Sequence, residues 1–517
     1  MGAWAGSAGP CASGLGFTAE QRPQSADVDP AVVQAAVHQH CPAGPGTLLS
    51  LNTSSGGFLI GLSSDLTDRL VSAVLARDTV TVRGCLEQGA DPDTLGSDGL
   101  PLLCTAVAGF DDLTAEVLVD GGANQDLVLQ DGSTPLLRAV DTGSPTLVTM
   151  ILGEAPRLRL PAAHRQRLLD LARHWYEVGV VEELRRRTGA AGPAVTRRID
   201  VLPTADTIDE VSLGGLTARA GHGAILTQLE WHFGVMPPVT ELMARAVAHA
   251  EDEDSNWFAA AYFLGQRRGP RIWSELTALR RDPDPVHRRF LASVLWHRCF
   301  HTTVDRASDT AEDADFLASW AQDEPDGQVL AAVLDVYNHH CAEHSDEMAI
   351  GLRYADHPNP RVRSEAAFCM SRERTARSEA VTSALLGMAV DSEPAVRASV
   401  AQVLNPRFAP DNELVPGIRD ALLVLLRDDD LGVRRHAAES LSASDDRTPP
   451  TLHALVALLD EDDKDLRLEA AFALACRDDP RAEWAYERVG PLNEFSEHDH
   501  RLFALRRYRT RNQPDRG

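Results

Sequence analysis

The apolar positions of this chain of 517 residues fall into two periodic series, each with its own rule. In the first, Ala73, Ala106, Ala139 and Ala172 recur at intervals of 33, and twelve residues after each comes Cys85, Leu118, Ile151 or Leu184. The turn residues keep the same register: Gly89-Ala90-Asp91 matches Gly122-Ala123-Asn124, and Asp98-Gly99 matches Asp131-Gly132. Such a period predicts stacked helical units, none of which buries its apolar face alone. Asp-Gly suits the tight turn between units. Pro135 presets φ at a helix start, and Gly89 and Gly122 fit the left-handed residue that ends a helix. The fourth unit keeps only Ala172, Val181 and Leu184 of the pattern.

The second series starts near residue 250. Its anchors Val362, Val396, Val433 and Leu466 stand 34, 37 and 33 residues apart, and each is followed by an arginine: Arg363, Arg397, Arg434 and Arg467. Four and five residues on come Ala366-Ala367, Val400-Ala401, Ala437-Ala438 and Ala470-Ala471; eight on come Met370, Leu404, Leu441 and Leu474. An i, i+4, i+8 pattern is one buried stripe on a helix, with small residues where helices cross. Each anchor follows an acidic or proline-bearing turn, which suits the positive end of a helix. Weaker copies anchor at Val329, Val286 and Asn256.

Between the series, residues 190–250 follow neither rule. Ala224 to Phe233 and Val239 to Ala250 read as amphipathic helices around Pro237-Pro238, and Val211 to Leu216 as a short strand. Residues 1–64 are rich in Gly, Ser, Ala and Pro, and read as a disordered leader. Residues 491–517 read as a tail with a basic run, Arg501 to Arg511. The expected fold is all-α: two stacked helical solenoids, residues 65–189 and 251–490, joined by a helical junction over 190–250.

The first series resembles the ankyrin repeat family, on Gly132-Ser133-Thr134-Pro135-Leu136 followed by Ala139. The second resembles HEAT repeats of the PBS-lyase type, with an acidic or proline turn and a Val-Arg helix start. The resemblance implies a protein that holds another protein on long concave repeat surfaces. On the first stack these are the turn tips, Asp93 to Asp98 and Leu127 to Asp131. On the second they are outward positions of the helices at 363–372 and 434–442. It also implies that the repeated arginines pair with the acidic turns as an internal ladder. An enzyme of the same repeat class, bilin-lyase-like or DNA-glycosylase-like, and a ligand- or metal-sensing module are the alternatives.

Composition narrows this. With 44% hydrophobic but only 5% aromatic residues, the core is built of Ala, Leu and Val. Lys464 is the only lysine, a skew that reads as bacterial, high-GC codon usage. A net charge of −26 disfavours nucleic acid and anionic membranes as partners. No apolar run of about 18 residues spans a bilayer. Eight cysteines without a C-x-x-C pair fit a reduced, cytoplasmic protein. No G-x-S-x-G, H-E-x-x-H or phosphate-cradling loop is present, so no catalysis and no cofactor are expected.

The metal-like pattern is His297/His301 with Cys299, and His340/His344 with Cys341 one unit later. Imidazole and thiolate suit Zn²⁺. Histidines at helix ends are the simpler reading, and no metal is favoured. Trp231, Trp257, Trp273, Trp296 and Trp320 read as core packing, with an aromatic floor for a peptide as the alternative.

Overall fold

The computed structural model describes residues 56–201, 206–248, 254–300, 306–339, 347–371, 378–406, 414–490 and 499–512. Residues 62–517 form one compact unit. The described residues hold twenty-six α-helices and one three-stranded sheet.

The first stack pairs α1 (Gly56–Ala76) with α2 (Thr79–Glu87), α3 (Leu102–Ala108) with α4 (Asp112–Asp120), and α5 (Pro135–Thr142) with α6 (Pro145–Leu152). It continues through α7 (Pro156–Arg159), α8 (Ala162–Val178) and α9 (Val180–Thr188). α1 thus begins inside the stretch that composition reads as leader; residues 1–55 lie outside the described residues. All eight members of the 33-residue series are buried, Ala139, Ala172, Cys85, Leu118 and Ile151 completely. Small residues let the helices approach, and their larger partners fill the space between. Val181 departs from this, lying 36% exposed. Gly89 and Gly122 take φ of 92° and 96°, where a side chain is strained. The backbone N–H of Asn124 donates to Asp93 Oδ1 at 2.8 Å, tying one unit to the next.

The junction differs from a purely helical one. β1 (Val195–Val201), β2 (Asp206–Leu213) and β3 (Leu216–Arg219) form an antiparallel meander, with Val195 opposite Ser212 and Glu210 opposite Arg219. The expected strand over Val211 to Leu216 is therefore the middle of a hairpin. Gly214 and Gly215, at φ of 59° and 85°, make its two-residue turn. α10 (His222–Phe233) and α11 (Val239–Val247) follow, with Pro237-Pro238 between them. Arg245 and Glu230, 2% exposed each, clamp the two helices together. The sheet meets the first stack at Gly143, where a Cβ would collide with the Arg219 carbonyl oxygen.

The second stack runs α12 (Ser255–Gly265), α13 (Pro270–Ala278), α14 (Pro285–Phe300), α15 (Arg306–Asp323), α16 (Gly327–His339), α17 (Glu347–Tyr354) and α18 (Pro360–Cys369). It goes on through α19 (Glu379–Met388), α20 (Pro394–Val403), α21 (Pro416–Leu425), α22 (Leu431–Ser442), α23 (Pro449–Leu458), α24 (Lys464–Cys476) and α25 (Ala482–Val489). The even-numbered helices pack on one another in one continuous row. Every anchor, every Ala pair and every residue eight after an anchor from Val362 to Leu474 is buried. Asp430 and Asp463 cap their helices by accepting from the N–H of Val433 and Leu466. The expected tail is also structured in part. α26 (His500–Asn512) lays Leu502, Leu505 and Tyr508 against α24 and ends the row.

Candidate interaction surface

The repeated arginines sit where acidic turns and helix starts meet. Each Nη1 donates back to two carbonyls of the turn before its own helix. For Arg363 these are His357 (2.8 Å) and Pro358 (3.3 Å), and for Arg397 Asp391 (2.8 Å) and Ser392 (3.2 Å). Arg434 and Arg467 do the same to Asp428-Asp429 and Glu461-Asp462. The remaining nitrogens reach forward. Arg363 grips both carboxylate oxygens of Asp391 at 2.7 Å, and Arg397 both of Asp428 at 2.7 Å. The same carboxylates cap their own turns, Asp391 accepting from Glu393 N and Asp428 from Asp430 N. One residue therefore shapes its turn and receives the preceding repeat.

Arg288 belongs to this ladder. It donates to the carbonyls of Asp282 and Pro283 and grips Glu324 at 2.8 and 3.0 Å. The residue before it, His287, therefore takes the place of Val362, and the anchor expected at Val286 is one position early. At the next interface but three, Arg434 stops 3.9 Å from Glu461, and Arg435 holds Asp463 at 2.6 Å. Arg467 ends the ladder on the Val489 carbonyl at 3.5 Å. These charges are used internally.

The row's outer positions are less uniform than its inner ones. Four residues after each ladder position stand Ala292, Leu334, Ala367, Ala401, Ala438 and Ala471, all buried. The next residue is at least partly exposed in every repeat: Ser293, Asp335, Phe368, Gln402, Glu439 and Phe472. Interior chemistry repeats, and surface chemistry does not. At the start of the row the surface is aromatic. Phe258 stacks on Tyr262 (5.8 Å between centroids), His297 meets both edge-on (5.0 and 5.6 Å), and Trp296 faces His339 at 6.3 Å. Trp257 and Trp320 are core, 3% and 1% exposed, and the Trp320 N–H donates to Glu324. Trp231, Trp273 and Trp296 are half-buried.

His297, 8% exposed within this aromatic box, is a packed side chain. His301, His340 and His344 lie outside the described residues, as does Cys341. Among the described residues no group of three His, Cys, Asp or Glu side chains is arranged to hold a metal ion.

A titratable cluster joins α16 to α18, which sequence alone does not reveal. Asn338 Nδ2 donates to Glu365 Oε2 (2.9 Å) and to its carbonyl (3.0 Å), and the Cys369 thiol donates to Asn338 Oδ1 (3.2 Å). Burial, then the nearby Asp335 charge, pushes the Glu365 carboxyl up to about 7. His339 is raised to about 9 by its bond to Asp335. Because the folded Glu365 holds its proton above the range where the unfolded one releases it, its contribution weakens the fold as pH rises from about 4.5 toward 7. Glu365→Gln is therefore expected to stabilise the chain by about 2 kcal/mol at pH 8 and leave it unchanged at pH 4. Thermal melts of both proteins across that range check this.

On the first stack, Asp98 and Asp131 cap the tip turns through Leu100 N and Ser133 N, leaving Leu95 and Val128 57% and 61% exposed. In the junction, a cavity of about 500 Å³ lies among Trp175, Val211, His222 and Asn256. His222 stacks on Trp175 at 4.6 Å, and burial pushes its imidazole down to about 4.

Residues 407–475, from before α21 to within α24, match the family model of HEAT repeats. No curated protein matches the chain. Similar solved structures include the X-ray structure of the E. coli protein YibA, at 18% identity over 52% of this chain and 93% of its own, with a TM-score of 0.39. An engineered protein is similar at 14% identity over 83% of this chain and 99% of its own, with a TM-score of 0.34. The repeats over residues 407–475 are therefore similar to HEAT repeats. Among the described residues no helix is long and apolar enough to cross a membrane.

Proposed function

We propose that the chain is a non-catalytic scaffold or adaptor that holds another protein on its repeat surfaces. The observation that carries this is the contrast within the even-numbered row. Its buried positions repeat almost unchanged, while the adjoining, partly exposed stripe runs Ser293, Asp335, Phe368, Gln402, Glu439, Phe472. A stack whose interior alone sets stability leaves that stripe free to encode a partner. The first stack reads as ankyrin repeats on its 33-residue period, and its tips Asp93 to Asp98 and Leu127 to Asp131 form the second contact area. The charge of −26 favours protein over nucleic acid as the partner. Thiols at Cys85, Cys104 and Cys476 suit a cytoplasmic setting, and arginine in place of lysine a bacterial source.

The test is affinity capture from the source cells with the full chain and with a variant carrying Phe368→Ser, Gln402→Arg and Glu439→Arg. A partner held by the native chain and lost by the variant, with helicity and melting unchanged, supports the reading. Equal capture by both overturns the placement of the surface. No specific protein on either, together with a bound small molecule, overturns the scaffold itself.

A further inference from the structure

The ladder has a gap. From α14 to α24 there are five successive interfaces in the even-numbered row. Four carry a clamp: Arg288 to Glu324, Arg363 to Asp391, Arg397 to Asp428, and Arg434 with Arg435 to Glu461 and Asp463. At the α16–α18 interface both partners are missing together. Leu330 stands where the arginine belongs and His357 where the carboxylate belongs, as the numbering of the turns on either side shows. Arg363 still closes its own turn on the His357 carbonyl, so the repeat keeps its shape and loses only its link. In place of a carboxylate, His357 Nδ1 accepts the Asn359 N–H at 3.1 Å.

Other contacts cross this interface. The Tyr354 hydroxyl donates to the Ala321 carbonyl at 2.5 Å, and Arg353 to the Gln322 carbonyl at 3.2 Å, linking consecutive turns. At the far end Asn338 bridges to Glu365. The buried core divides within α18: Val362, Ala366 and Cys369 pack with α16, and Ala367 and Met370 pack with the cluster that runs on through α20. In a stack of repeats, stability is a sum of repeat terms and nearest-neighbour interface terms, so the weakest interface is where it opens.

We propose that the α16–α18 interface is the joint of the second stack, dividing it into two blocks, α12–α16 and α18–α24, that open independently. The Arg288–Glu324 clamp joins α14 to α16 in the first block, with α12 packed on α14, and the clamps from Arg363 to Asp463 join α18 to α24 in the second. A partner lying along the row meets two rigid surfaces whose relative tilt adjusts at this one place.

Native-state hydrogen exchange of the full chain in rising urea tests this. Helices of one cooperative unit share a single dependence on denaturant. The amides of α12–α16 are expected to converge on one curve and those of α18–α24 on another, with protection differing by about tenfold. A single curve for the whole row, or a boundary at a clamped interface, overturns the proposal. Two variants sharpen it. Leu330→Arg with His357→Asp installs the missing clamp and is expected to merge the curves. Arg397→Leu with Asp428→His removes an existing one and is expected to create a new boundary between α20 and α22. If the first variant fails to fold, the wild-type curves and the second variant still decide.

Discussion

Arg397→Ala is expected to cost about 3 kcal/mol, because it strips a largely buried carboxylate of the guanidinium bonded to both its oxygens. The Arg397 and Asp428 side chains are 16% and 9% exposed. Without Arg397, Asp428 keeps its turn contact to Asp430 N and the charge of Arg434 but loses the guanidinium bonded to it, and the carbonyls of Asp391 and Ser392 lose their donor. Leucine at both positions is expected to cost far less than the sum of the single changes, since the loss comes from leaving one charge alone. The pH dependence follows. The Arg397 guanidinium, against the effect of burial, holds the Asp428 carboxyl below the usual range. The clamp's contribution is thus fully present above about pH 4 and is lost as pH falls through the depressed value. Urea unfolding at pH 7 and pH 3, for wild type, both single variants and the double, measures the coupling and its loss in acid.

Arg245→Met is expected to cost about 4 kcal/mol and to loosen the junction. Arg245 Nη1 donates to Glu230 Oε2 at 2.6 Å and to Thr227 at 3.1 Å, and Nη2 to Glu230 Oε1 at 3.2 Å. With both side chains 3% exposed or less, Glu230 would be left buried without its bidentate partner, bonded to Arg173 at 3.3 Å. The pair joins α10, which packs on α8, to α11, which packs on α12. Its loss is therefore expected to lower the melting temperature and to raise exchange in α10 and α11 first. Adding Glu230→Met is expected to recover at least half of the loss, because an apolar pair leaves no buried charge. A variant that melts like the wild type would show that the clamp carries no stability.

Much of the fold is legible because a repeat shows each rule several times. Ala139 alone says little, but with Ala73, Ala106 and Ala172 at the same spacing it marks where helices touch, and all four are buried. The ladder reads from Arg363, Arg397, Arg434 and Arg467 in the same way. Where the pattern thins, reading slips. Val-His-Arg at 286–288 imitates the Val-Arg step one residue early, and only the bonds of Arg288 to Asp282 and Pro283 set the register. The hairpin had a local signal in Gly214-Gly215 between alternating apolar residues, with Ile208, Val211 and Leu213 buried. The Arg245–Glu230 clamp and the Asn338–Glu365 bridge have none, since each joins positions 15 or more apart whose partners only folding selects. The missing clamp at Leu330 and His357 becomes visible once the other interfaces define what should stand there.

A partner protein seated on the partly exposed stripe of the even-numbered helices is expected to crosslink to it. A photo-crosslinking amino acid placed in the full chain at Gln402 on α20 or Glu439 on α22, with Val424 on α21 as the comparison, tests it in cells. Val424 is 61% exposed, so access does not distinguish the sites. One crosslinked protein from both Gln402 and Glu439 and none from Val424 is expected; crosslinking from Val424 alone, or from none of the three, would show that no partner occupies the stripe.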